Sequence, residues 1–136
     1  MAAHHEWIIM LAYIATTENI KVIVRPIYLD GQSNLMDKKF VFAYFIRIEN
    51  HSGEKVQLLR RHWCISDAKG NIEEVDGVGV VGEQPFIPSG GAHEYNSYCV
   101  LKWFEGAMEG TFEMRHEHGE GFTVQIPKFF LKAAVN

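Results

Sequence analysis

Cysteine is scarce in this 136-residue chain, which has only Cys64 and Cys99. They lie far apart and match no metal-ligand spacing. We read them as two reduced, partly buried thiols of a cytoplasmic protein, with a disulfide between them as the alternative. Basic residues are also short, with 13 Lys and Arg against 17 Asp and Glu, for a formal net charge of −4. This balance favours solubility and gives no electrostatic reason to expect nucleic acid. Arg60, Arg61 and His62 are adjacent, but alternate strand positions would divide them between two faces. No apolar run is long enough for a membrane helix. The strongest, Trp7 to Ala15 (WIIMLAYIA), falls well short of the roughly 20 residues a span needs. It also lacks the basic start of a signal peptide, because the first Lys or Arg is Lys21. We expect this run to be a short pairing or packing segment, or a partly disordered extension, and we expect no direct membrane insertion. Helix signals, internal repeats, low-complexity tracts and interdomain linkers are missing as well.

What is present is ordinary for a globular protein. Hydrophobic residues make up 47% and charged residues 22%, and the length suits one domain over residues 13–136 behind an extension of residues 1–12. The apolar pattern has a period near two. Ile20 to Leu29 alternates as a strand, with Val22 and Val24 on one face. Phe40 to Asn50 is the strongest strand, with Phe40, Phe42, Tyr44, Ile46 and Ile48 facing the core. Its other face carries Val41, Ala43 and Phe45, so a covering segment or a homodimer is expected. Further strands are expected at Val56 to Asp67, with Trp63 and Ile65 as anchors, Ile72 to Val75, Ala92 to Leu101, Met108 to His116 and Phe122 to Ile126. Pro127 weakens or ends the last, and Phe129 and Leu131 are candidates to resume it. Asp76 to Gly91 reads as mostly loop, and Lys102 to Gly106 as a bend. About seven antiparallel strands without a helix predict an all-β sandwich of immunoglobulin or fibronectin III kind, with a barrel as the alternative.

Four features could carry chemistry. Gly77-Val78-Gly79-Val80-Val81-Gly82 is a literal GxGxxG, but Glu83, Gln84, Pro85 and Pro88 follow it. No helix can begin there, so the dinucleotide-binding reading fails on context. A nest of N–H groups for an anion is the weaker functional version, and Asp76 and Glu83 bracket it with negative charge. The competing reading is that the glycines supply positive φ and close packing. His116 and His118 would share a strand face as metal ligands do, yet the sequence offers only a pair, at the mouth of a turn. No nucleophile motif or recognisable acid–base pair occurs, and no cofactor is implied, so we expect a non-enzyme. Phe86, Trp103 and Phe104 fall in expected loops, where aromatic side chains either cap the core or meet a partner.

The segment VQLLRRHWCISDAKGNIEEVDGVGVVGEQPFI (Val56 to Ile87) resembles the central signature of ApaG domains. YIATTENIKVIVRPIYL before it, and EYNSYCVL, MEGTFEM and IPKFFL after it, extend the similarity from Tyr13 to Leu131. The resemblance implies a fibronectin III-like sandwich. It implies an association, by name and gene context, with cobalt resistance and magnesium efflux, without a defined activity. It also implies a protein-interaction role, as in the related eukaryotic domains attached to an F-box protein and to a polymerase-interacting protein. The family's GxGxxG, here Gly77, Gly79 and Gly82, has been suggested as a pyrophosphate site. Met1 to Ala12 extends beyond the family's usual start, and the His116-Glu117-His118 triplet is no part of its pattern. We therefore expect a non-catalytic protein-binding module, accessory to cobalt or magnesium homeostasis, with an unidentified protein partner. Anion binding at residues 77–82 and direct divalent-cation binding are the alternatives.

Overall fold

The computed structural model describes residues 11–133 of the protein. Nine strands are found among them: β1 (Tyr13–Thr17), β2 (Ile20–Tyr28), β3 (Phe40–Asn50), β4 (Val56–Asp67), β5 (Ile72–Val78), β6 (Phe86–Ile87), β7 (Ala92–Leu101), β8 (Glu105–His116) and β9 (Gly121–Lys132). One sheet has the order β1-β2-β3-β7. The other runs β5-β4-β8-β9, with β6 beside the start of β4. Every pairing is antiparallel. The two sheets stack as a β-sandwich, not a barrel.

Strand parity explains the core. Phe40, Phe42, Tyr44, Ile46 and Ile48 on β3 are all buried, as are Val22 and Val24 on β2. From the opposite sheet come Trp63, Phe112, Val124 and Phe129. Tyr44, Trp63 and Phe129 meet with ring centroids 5.4–5.8 Å apart, so one aromatic cluster ties β3, β4 and β9 together. Burying a side chain of this size is worth about 1.5–3 kcal/mol, and the cluster is one part of a continuous core drawn from both sheets. On the outer face of β3, Val41 and Ala43 are buried within the chain itself, whereas Phe45 is exposed. Ala43 lies in register between Ile27 and Tyr98, and Val41 opposite Val100.

The structure decides or corrects the sequence reading at four places. β1 pairs with β2 through a two-residue turn, Glu18-Asn19, with both residues at positive φ as a tight hairpin requires. Tyr13 to Ala15, the end of the apolar N-terminal run, lie in this strand, while Trp7 to Met10 fall outside the described residues. β6 is a two-residue strand inside the expected 76–91 loop, and β5 extends to Val78, so Asp76, Gly77 and Val78 are strand residues. β8 begins at Glu105, so the bend is shorter than expected. β9 runs through Pro127 without a break. The β8–β9 register shifts between Met108 and Gly110, opposite Phe129 and Ile126, so the proline occupies a bulge. β9 is also an edge strand, so the missing N–H costs the ladder little.

Cys64 lies on β4 in one sheet and Cys99 on β7 in the other, and both are free thiols. Burial pushes the Cys99 thiol up to about 12.

Candidate functional site: an inter-sheet cleft flanked by aromatic residues

β4 separates the expected aromatic residues. Its first residues, Val56 and Gln57, lie beside Ile87 and Phe86, whereas Ser66 and Asp67 lie beside Ala107 and Gly106 near the β7–β8 bend. Phe86 therefore sits at one end of the sandwich, and Trp103 and Phe104 at the other. The structure does not bring the three together.

At the Trp103 end the sheets stand apart around a cleft of about 920 Å³. Tyr13, Tyr28 and Phe42 line it from one sheet, and Ala107, Phe130 and Leu131 from the other. Asp67, Glu105 and Lys132 add charge to an otherwise apolar cavity. The volume lies in the upper part of the range of about 300–1,000 Å³ usual for ligand sites. The bend is fixed beside the cleft by backbone hydrogen bonds. The Ala133 amide donates to the Phe104 carbonyl at 2.7 Å, and the Ala68 amide to the Glu105 carbonyl at 3.1 Å. Trp103 packs on Phe104 with centroids 5.1 Å apart, and the Lys69 ammonium sits 4.4 Å over the indole. The neighbouring Lys69-Gly70-Asn71 turn is organised by Asp67, whose carboxylate accepts from the amides of Lys69 and Asn71 and from the Asn71 side chain. Burial works to raise the Asp67 carboxyl, but hydrogen bonds from Asn71, Lys69 and Gly70 outweigh it and hold it below the ordinary carboxylate range. Phe104 and Phe130 remain about half exposed beside this cavity.

The glycine-rich segment lies elsewhere, along the side of the sandwich. Val81 and Gly82, both at positive φ, form a two-residue turn whose flanks exchange two bonds, Val80 N–H to Glu83 O at 2.8 Å and Glu83 N–H to Val80 O at 3.0 Å. The Gly79 amide donates to the Leu59 carbonyl at 2.8 Å. These three amides are spent within the fold and cannot contribute to an anion cradle. Each glycine has a local cause. A side chain at Gly77 would strike the Arg61 guanidinium, and one at Gly79 the Glu83 carbonyl, while Gly79 and Gly82 have φ of +65° and +77°. The Arg61 Nη1 donates to the Val78 and Gly79 carbonyls at 3.2 and 2.8 Å.

The family profile described as "ApaG domain" matches residues 30–116. The chain belongs to the ApaG family. The protein ApaG of Paramagnetospirillum magneticum is 51% identical over 119 residues, covering 88% of this chain and 92% of that one. The protein ApaG of Mesorhizobium japonicum is 46% identical over the same shares. Among solved structures, the putative ApaA protein from Bordetella pertussis superposes with a TM-score of 0.81 at 40% identity, covering 83% of this chain and 92% of that one.

In this ApaG domain the histidine pair does not share a site. His116 stacks on Phe122 at 4.1 Å, with Nδ1 3.6 Å from the Glu54 carboxylate, while His118 is exposed on the turn. Among the described residues no group of three or more His, Cys, Asp or Glu side chains converges as metal ligands would. Sequence reasoning missed Phe130 at the cleft. The signal was available in Phe129-Phe130, because neighbouring strand residues must face opposite ways. Phe129 is fully buried and Phe130 half exposed.

Proposed function

We propose that this ApaG domain is a non-catalytic protein-binding module that receives an apolar segment of its partner at the cleft end of the sandwich. One observation carries the reading: a large apolar cleft between the sheets with half-exposed Phe130 in its lining, next to the bend that carries exposed Phe104. A soluble monomer gains nothing from leaving such side chains in water, and aromatic anchors supply most of the binding energy at protein interfaces. Trp103, Phe104 and Phe130 are the anchors, and Lys69 holds the indole in place. The two free thiols fit a reducing compartment, and we assign the protein to the cytoplasm. A role in cobalt or magnesium homeostasis would be accessory. Among the described residues no helix is long and apolar enough to cross a membrane, so ion movement would depend on a membrane protein partner.

The test is quantitative capture of a partner, identified from native lysate, by Trp103→Ala, Phe130→Ala and Phe86→Ala proteins. The two cleft-end substitutions should each weaken the purified partner's affinity by tenfold or more, about 1.4 kcal/mol, and the Phe86 substitution should leave it unchanged. Equal affinity for all three would reject the cleft end as the binding surface.

A further inference from the structure

The sandwich is stitched along one side and open along the other. β1 closes the first side, where the Gln125 amide donates to Thr17 Oγ1 at 3.1 Å. Along the second side, between β7 and the Val80–Glu83 turn, the sheets enclose a pocket of about 350 Å³. Tyr44 and Trp63 line it with their rings in edge contact at 5.4 Å. Among the described residues Arg61 is its only charged lining residue, and no acidic side chain lines it. The two backbone carbonyls that hold the Arg61 Nη1 fix the guanidinium in place without neutralising it.

A second, independent feature lies in the same pocket. The Tyr95 hydroxyl is buried and has no hydrogen-bond partner. An unmet buried donor costs about 1–3 kcal/mol, and folded proteins rarely keep one without a use for it. Burial, with a smaller push from Tyr44, holds the phenol protonated, so it can donate.

We propose that this pocket binds a small organic carboxylate with a flat apolar body, its carboxylate held between Arg61 and the Tyr95 hydroxyl and its body against Trp63 and Tyr44. A fixed guanidinium without an acidic neighbour in the pocket selects negative charge, and its planar fork matches a carboxylate. The volume, near the lower limit of about 300 Å³ for ligand pockets, restricts the body to roughly one ring. The site uses side chains between the sheets, draws nothing from the glycine-loop amides and does not depend on the cleft reading.

The test titrates the isotope-labelled full chain with benzoate, with its neutral counterpart benzamide and with inorganic pyrophosphate, following backbone amide shifts. Benzoate should shift the amides of Tyr95 to Tyr98 and of Val80 and Val81 saturably in the millimolar range, as suits so small a ligand. Benzamide should bind at least tenfold more weakly. Arg61→Gln should abolish the response. Tyr95→Phe should weaken benzoate several-fold while the unliganded protein melts at the same or a higher temperature, because an unmet hydroxyl has been removed. The second variant keeps the test decisive if the first does not fold. Equal shifts with benzoate and benzamide, unaltered benzoate affinity in Tyr95→Phe, or tighter binding of pyrophosphate at the same amides would each overturn the proposal.

Discussion

At the glycine-rich turn, two residues of the same type carry different burdens. Gly82 needs only its positive φ, since a side chain there meets nothing, whereas Gly79 needs its φ and also the space in front of the Glu83 carbonyl. Gly82→Ala should therefore cost about 1 kcal/mol. Gly79→Ala should cost about 2–4 kcal/mol, because a backbone carbonyl has to move as well. Urea denaturation of the two variants checks the ordering. The motif was legible as three glycines, and the conflict with Pro85 was legible too. The individual causes were not, because they depend on residues that only the fold brings near, Arg61 among them. His62 shows the same limit. Its Nδ1 lies 2.8 Å from Asp76 and its Nε2 3.1 Å from Glu74, both on the neighbouring strand β5. The hydrogen bond with Asp76 is the main cause that raises its pKa above the ordinary value. Stability from a raised histidine is fully present below its unfolded-state pKa of about 6.5 and is lost as pH rises through the folded value. The gap in urea midpoint between the natural chain and His62→Gln should thus be wider near about pH 6 than near about pH 9.

At the scale of the element, long alternating strands were readable and short or interrupted ones were not. β3 could be read face by face because eleven residues kept their parity without a break. β6, only two residues long, has no pattern of its own and exists because Val56 and Gln57 offer it a partner. For β9, an end at Pro127 and a resumption at Phe129 and Leu131 were both readable, and the choice between them was not, since a bulge is a property of two strands and not of one. The turn after β3 hides a further dependence. Asn50 is the only fully buried polar residue among those described. Its side-chain amide donates to the carbonyls of Glu54 and Ile87 at 2.8 and 2.9 Å, and its oxygen accepts from the amide and hydroxyl of Ser52. One side chain thus ties the end of β3 to the turn before β4 and to β6. Asn50→Ala would take the side-chain donor from the buried Ile87 carbonyl and the acceptor from the Ser52 amide, while the Glu54 carbonyl would keep the Ser52 hydroxyl. It should cost about 2–3 kcal/mol, a value that denaturant unfolding can measure.

For the whole molecule, the two thiols report different events. Cys64 is partly exposed, whereas Cys99 is buried with its ionisation pushed far above neutrality. A thiol reagent at mildly alkaline pH should modify Cys64 in the native state and reach Cys99 only through unfolding, so the second rate should rise with urea as the global transition does. One sulfur reacting promptly and one slowly, in a mass-spectrometric time course, is the expected result. Equal rates would mean that β7 opens on its own. Fold class was legible from period-two patterning, and the number of ends and sides was not. Whether Phe86 stands beside Trp103 or at the far end of the sandwich from it depends on how β4 is paired, and no local sequence signal states that.

The order of β3 and β7 has a consequence for synthesis. Strand β3 pairs with β7, and three strands of the other sheet are made between them. While the chain leaves the ribosome, β2 and β3 can form a hairpin, but the far edge of β3 has no complement until β7 emerges. During that interval an aromatic-rich strand offers open backbone groups to any neighbouring nascent chain, so its safety depends on translation speed and on chaperones that shield it.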